Sequence, residues 1–106
     1  MITPDPNEEY RALLRRTKEL APGPRLVLTL YKAMPKDRTT GAVRLTAKAL
    51  AGELGWTESQ FSKARTVLID GGWLEAADRY GNVRIFRLTD KALGTKSTVV
   101  PLRPVG

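Results

Sequence analysis

One stretch constrains the fold of this 106-residue chain more than any other: residues 45–72, LTAKALAGELGWTESQFSKARTVLIDGG. It predicts two helices, 47–54 and 58–70, joined by a tight turn at Gly55-Trp56-Thr57. Thr46 is a suitable cap for the first helix, and Gly55 supplies the left-handed conformation that ends it. Thr57 and Gln60 have the spacing of a capping box for the second helix. The rest of the chain is therefore expected to build its core around this short helix pair.

Two further helices are predicted before the pair. The first covers about residues 7–20, with Glu8 and Glu9 in its first turn and basic residues near its end, as the helix dipole favours. Its apolar stripe is thin, so we expect it to dock on the domain edge or on a second copy. The stripe consists of Tyr10, Leu13, Leu14 and Ala21.

Pro22-Gly23-Pro24 predicts a break, and residues 25–34 predict a largely buried second helix. Its apolar residues recur at helical spacing: Leu26, Leu30, Ala33 and Met34, with Val27 and Tyr31 widening the stripe. Residues 35–41 are polar and predict an exposed loop, and residues 42–45 predict a short strand.

The chain after the pair predicts a β-hairpin. Gly71-Gly72 ends the second helix of the pair, residues 73–79 and 83–88 are strand-like, and Tyr80-Gly81-Asn82 has turn chemistry. Thr89-Asp90 starts a last helical turn, and the chain from residue 95 onward predicts no regular structure. Two helices separated by a turn with Gly, followed by a hairpin, form a helix-turn-helix with a wing.

Residues 25–94 resemble the winged helix-turn-helix domains of bacterial transcription regulators such as the MarR and GntR families. The matching residues are LTAKALAGELGWTESQFSKARTVLIDGGWLE at 45–75 and VRIFRLTDKAL at 83–93. The resemblance implies a mainly α fold with a small β-hairpin wing, an α+β class. It divides the chain into an N-terminal helix over 1–24 as a possible dimerisation element, the winged domain over 25–94, and an irregular tail over 95–106.

Three residues depart from the family pattern. Arg65 stands where the family usually has an inward apolar residue, so its head must extend past the core or pair with an acid. Val67 and Ile69 are apolar where solvated residues are usual. We expect them to pack against the N-terminal helix or a partner chain.

Composition narrows the classes of function. Eighteen Lys and Arg against eleven Asp and Glu give a net charge of +7, which favours a polyanionic partner. Cys and His are absent, so zinc sites and Cys- or His-based catalysis lose their usual residues. No pair of the remaining polar residues has a convincing catalytic spacing. We expect no catalytic residues, no metal, no cofactor and no enzyme activity.

Location is inferred from hydropathy. No apolar run approaches the ~20 residues that span a bilayer. The first residues, MITPDPNEEY, lack the basic region and apolar core of a signal peptide. We expect a soluble cytoplasmic protein at the bacterial nucleoid, without a membrane partner.

The second helix of the pair predicts the DNA-reading residues. With Phe61 at the centre of its buried face, 100° per residue places Lys63 and Thr66 on the opposite face. Hydroxyl, amide and ammonium groups suit base edges, although an ordinary solvated helix face has the same composition. The predicted base contacts are Ser59, Gln60, Ser62, Lys63 and Thr66.

Phosphate contacts are expected from the start of the first helix of the pair and from the wing, residues 79–84. From Arg79 to Gly106 the chain has six Lys or Arg residues and one Asp, although cations also protect exposed strand edges. The predicted backbone contacts are Arg44, Thr46, Lys48, Thr57, Arg79, Tyr80 and Arg84.

Two classes of function stay open at this point. The first is a sequence-specific double-stranded DNA-binding protein, either a transcription regulator or a plasmid or phage replication or partition protein. It is expected to be a homodimer through the N-terminal helix or the C-terminal tail, because one helix reads only a few base pairs. The second is a winged-helix protein–protein interaction module without DNA binding, since fold does not fix function. Such a module needs no basic wing.

Overall fold

The computed structural model describes residues 6–81 and 83–94, and within them the layout is a helix-turn-helix followed by an antiparallel hairpin. This confirms the predicted mainly α fold with a small β-hairpin, an α+β winged-helix arrangement. The elements are α1 (Pro6–Arg16), α2 (Pro22–Ala33), α3 (Ala47–Leu54), α4 (Glu58–Asp70), β1 (Leu74–Tyr80), β2 (Val83–Leu88) and α5 (Asp90–Leu93). None of the helices in the described ranges is long and apolar enough to cross a bilayer.

The helix pair α3–α4 has the bounds predicted from the sequence, because local signals fix both ends of the turn. The Thr46 hydroxyl oxygen accepts from the Ala49 backbone N–H at 3.1 Å and caps α3. Gly55 has φ 71°, in the left-handed region, and ends α3. Thr57 and Gln60 form the capping box at the start of α4.

The first two helices differ from the prediction at their facing ends. α1 stops at Arg16 rather than continuing to Leu20, since the Thr17 hydroxyl and the Arg25 guanidinium donate to carbonyls of its last turn. α2 begins at Pro22, so the predicted break at residues 22–24 was wrong. Proline fits the first turn of a helix, where its fixed φ is helical and its missing N–H has no partner to lose.

The buried face of α2 is also rotated from the predicted stripe. Val27, Leu28 and Tyr31 are buried, whereas Leu26 is 45% exposed. Periodicity identified an apolar helix correctly, but the helix is apolar over so much of its circumference that spacing alone did not locate the inward side.

A backbone hydrogen bond joins the hairpin to the segment before α3. β1 and β2 pair from Leu74↔Leu88 to Tyr80↔Val83, and Ala77 is an extra residue that forms a bulge in β1. The predicted strand at residues 42–45 is reduced to one bridge, in which the Val43 N–H donates to the Phe86 carbonyl at 2.9 Å. The base of the wing is therefore attached to the chain that enters α3.

Every described helix and both strands contribute to a single core. The core residues are Leu13, Val27, Leu28, Tyr31, Val43, Leu50, Ala51, Phe61, Ala64, Leu68, Trp73, Leu74, Phe86, Leu88 and Ala92. α1 joins this core through Leu13 and is also attached to the far end of the chain. The Arg16 guanidinium donates twice to the Ala92 carbonyl of α5, at 3.1 and 2.6 Å.

Two adjacent leucines of α1 provide a matched test of this packing. Leu13 is 2% exposed and Leu14 is 41% exposed. Because Leu13 fills the core, Leu13→Ala should lower the free energy of unfolding by about 2–5 kcal/mol, and Leu14→Ala should change it by under about 0.5 kcal/mol. Urea denaturation of both variants, at a protein concentration at which the chain is monomeric, measures the difference without a contribution from association between copies. Equal losses would contradict the placement of α1.

Candidate nucleic-acid interface

The predicted base-reading residues lie together on the solvent side of α4. Ser59, Gln60, Lys63 and Thr66 are exposed, and Ser62 is half-buried on the flank that faces the wing. The opposite side of the helix buries Phe61, Ala64 and Leu68. The structure thus brings these polar groups onto one surface, at a helix whose first turn is open to solvent.

Two members of the predicted set already have hydrogen-bond partners within the chain. The Gln60 Oε1 atom accepts from the Thr57 backbone N–H at 2.9 Å, and the Thr57 Oγ1 atom accepts from the Gln60 N–H at 3.1 Å. A bidentate contact to adenine needs the amide oxygen as well as the amide nitrogen of Gln60. Gln60 therefore cannot make that contact unless the capping box opens. The Thr57 hydroxyl donates to the Gln60 Oε1 atom at 3.3 Å and would have to turn away from it to reach a phosphate.

Thr66 is partly engaged as well. Its hydroxyl donates to the Ser62 carbonyl one turn earlier, at 2.9 Å. Its oxygen keeps acceptor capacity for an amino group, but the hydroxyl proton is used within the helix. The amine of Lys63 is the strongest donor on this face.

The residues predicted to bind phosphate at the start of α3 differ in whether other groups of the chain already engage them. Lys48 is exposed, and the Thr46 hydroxyl, whose oxygen accepts the capping bond from the Ala49 N–H, keeps its proton for a phosphate. Arg44 lies 3.2 Å from the Asp37 carboxylate. The pKa of Asp37 is lowered by the backbone N–H groups of Thr39 and Thr40 and then by Arg44, so the carboxylate stays ionised and offsets the charge of Arg44.

The wing carries two arginines side by side. Arg79 and Arg84 are direct partners in the strand register, and both are exposed. The Arg79 Nε–H donates to the Gly81 carbonyl of the turn at 3.2 Å. Neither arginine forms an ion pair with a carboxylate of the described ranges. Like charges directly opposite each other are unfavourable in a sheet, and a bound anion would relieve the repulsion. The side chain of Tyr80 and residue 82 lie outside the described part of the chain.

An open groove of about 410 Å³ separates α4 from the wing. Its lining includes the start of α3 and one carboxylate, Glu58, among several donors. The lining residues are Thr46, Ala47, Glu58, Ser62, Arg65, Thr66, Ile69, Val83, Arg84 and Phe86. The three parts predicted to touch DNA, namely the α3 start, α4 and the wing, therefore border one shared space.

Arg65 has the first of the two arrangements expected from the sequence: its head extends past the core. Its guanidinium carbon lies 4.5 Å from the centre of the Phe86 ring and 5.7 Å from that of Phe61. Burial raises the pKa of the Tyr31 hydroxyl, and the nearby charge of Arg65 opposes that rise. The sequence identified Arg65 as unusual but not its partners, since Tyr31 and Phe86 are distant in the chain.

The other two residues that depart from the family pattern, Val67 and Ile69, lie in different environments. Ile69 packs against the core, whereas Val67 is 47% exposed. Val67 lines a shallow apolar groove with Trp56 and Pro24, on the flank of α4 away from the wing. In the described ranges no three His, Cys, Asp or Glu side chains are grouped as metal ligands would be.

The capping box predicts coupled stability effects. Thr57→Ala should lower the free energy of unfolding by about 0.5–2 kcal/mol. Thr57 and Gln60 form a single capping box. The loss of unfolding free energy in Thr57→Ala/Gln60→Ala should therefore be smaller than the sum of the losses in the two single variants. Ser59→Ala, on the same exposed turn without a capping bond, serves as the control. Chemical denaturation tests this, and strictly additive losses would mean that the two bonds act independently.

Comparison with known proteins adds no relative from which a role for this interface could be transferred. No protein-family model, no curated protein and no solved structure matches the sequence. The geometry and charge of the described residues are therefore the basis on which a function is inferred.

Proposed function

We propose that this chain is a sequence-specific double-stranded DNA-binding protein that acts as a transcription regulator at the bacterial nucleoid, and not an enzyme. The observation that carries the proposal is the groove between α4 and the wing, which Ser62 and Thr66 of α4 share with the unpaired Arg84 of β2. α4 enters the major groove, and the wing follows the backbone or the minor groove.

The wing supplies affinity that does not depend on sequence. Arg79 and Arg84 repel each other in the free protein, and two phosphates remove that cost while releasing condensed counterions from the DNA. Lys48, exposed in the first turn of α3, adds a third contact. Arg44 contributes less than its charge implies, since Asp37 offsets it.

Fewer residues of α4 are left to discriminate between base sequences than helical periodicity predicted. Lys63 donates to guanine, and Ser59, Ser62 and Thr66 offer hydroxyl oxygens to amino groups. Gln60 caps the first turn of α4 by accepting from the Thr57 N–H.

A homodimer fits a protein with so short a reading surface. Leu14 and Leu26 are 41% and 45% exposed and line a shallow apolar groove between α1 and α2, which supports a contact between copies through the N-terminal helix. Two copies would then read half-sites about 34 Å apart. The C-terminal tail, the other predicted dimer element, lies outside the described residues.

Two other functions fit parts of the same structure. A plasmid or phage replication or partition protein would use the same interface. A protein–protein module is favoured by one observation, the apolar groove of Pro24, Trp56 and Val67 beside Lys63. Binding to a random-sequence duplex at two salt concentrations separates DNA binding from that module: a DNA binder weakens steeply with salt. Absent or salt-insensitive binding would contradict the proposal.

Lys63→Ala tests base reading. After a preferred site has been selected from a random duplex pool, this variant should lose about 5- to 150-fold in affinity for that site, the worth of one good base contact. Its affinity for random duplex should fall by much less. An equal loss on both DNAs would make Lys63 a phosphate contact.

Arg84→Ala tests the wing. It should weaken specific and random DNA alike and reduce the slope of log K against log salt by about 0.9, the share of one phosphate contact. Lys36→Ala is the matched control, because Lys36 lines a cleft with Arg87 on the other face of the hairpin. An unchanged slope in Arg84→Ala would remove the wing from the interface.

A further inference from the structure

We propose that Arg65 is a phosphate-binding residue of the groove between α4 and the wing, pre-oriented by aromatic rings and acting beside Arg84. The inference rests on the proposed DNA binding and assigns a ligand contact to a residue that the sequence pattern placed in the core. The ligand is a backbone phosphate of the bound duplex.

The first support is the way the guanidinium is held. Its carbon lies over Phe86 at 4.5 Å and near Phe61 at 5.7 Å from the ring centres. A guanidinium over a ring is attracted to the ring face by its charge, and this contact uses none of its five N–H donors as conventional hydrogen bonds. Those donors remain available to an acceptor in the groove, and contact with two rings restricts the side chain before any ligand binds.

The second support is the missing counter-charge. Arg65 is half-buried, and no carboxylate of residues 6–81 and 83–94 forms an ion pair with it. Glu58 lines the same groove without pairing with Arg65. A partly desolvated cation is costly unless something offsets it, and ring faces offset only part of that cost. A phosphate in the groove supplies the remainder.

The third support is the neighbour on β2. Arg84 and Phe86 are two residues apart in a strand, so their side chains lie on the same face of the hairpin. The ring that holds Arg65 and the exposed guanidinium of Arg84 therefore project into one space, which both arginines line. Guanidinium groups on two walls of a groove can donate to several oxygens of a sugar–phosphate backbone.

Arg65→Met is the central test, because methionine keeps an unbranched apolar side chain over the rings and removes the charge. Binding to a random-sequence duplex is measured as a function of salt, with thermal unfolding as a check on the fold. The salt slope should fall by about 0.9 and the affinity at low salt by about tenfold or more. Lys36→Ala, in the loop after α2 beside the opposite face of the hairpin, should leave both unchanged.

Arg65→Lys separates charge from geometry. It should keep the wild-type salt slope and bind several-fold more weakly, since lysine retains the charge without the planar fork. A folded Arg65→Met with wild-type slope and affinity would overturn the inference and make Arg65 a packing residue only.

A wild-type measurement covers the case in which Arg65→Met does not fold. The Arg65 Nε–H resonance, assigned by its loss in Arg65→Lys, should shift when duplex is added and not when chloride is added at the same charge concentration. No shift with bound duplex would overturn the inference. If the wild-type chain does not bind duplex at all, the proposed function fails first, and the two failures are thereby distinguished.

Discussion

The wing depends on the surroundings of one residue, Phe86. Its carbonyl accepts from Val43, its backbone pairs with Ala76 of β1, and its ring lies beneath the guanidinium of Arg65. A two-stranded hairpin is marginal by itself in water. The bridge to the segment before α3 and the stack on α4 give this hairpin the additional contacts that hold it at a fixed angle to the helix pair. Without them the space between α4 and β2 would have no defined shape.

The predictability of each element depends on the range of the interactions that fix it. The bounds of α3 and α4 were predicted because their caps, Thr46, Gly55 and the Thr57–Gln60 pair, lie within three residues of the helix ends. The junction of α1 and α2 was not, since Arg25 reaches back to α1. Such a contact has no signature in local spacing. The sequence marked Arg65 as unusual for its position. The side chains that surround its guanidinium, Tyr31 and Phe86, lie 34 positions before it and 21 after it, beyond the reach of local spacing.

The candidate site shows the same division. Helical periodicity placed Ser59, Lys63 and Thr66 correctly on the solvent face of α4. It could not show that the Gln60 oxygen is committed to the cap, because one residue type serves both capping and base reading. The net charge likewise overstates the positive surface that is free to bind a ligand. Arg16 and Arg25 donate to helix-end carbonyls, and Arg87 to Thr40 and Glu75, so part of the excess positive charge is internal structure and not free binding surface.

The Thr57–Gln60 clasp has a consequence for how such a protein changes its target. The start of α4 is secured by two residues that need no DNA, while Ser59, Ser62 and Lys63 hold no capping bond. Substitutions at those three positions leave the capping bonds in place, so in the proposed DNA binder they alter the reading surface more than the start of the helix. A library randomised at 59, 62 and 63 over a fixed Thr57 and Gln60 should consist mostly of folded members. The positions proposed to read DNA are thus separate from the positions that cap the start of α4.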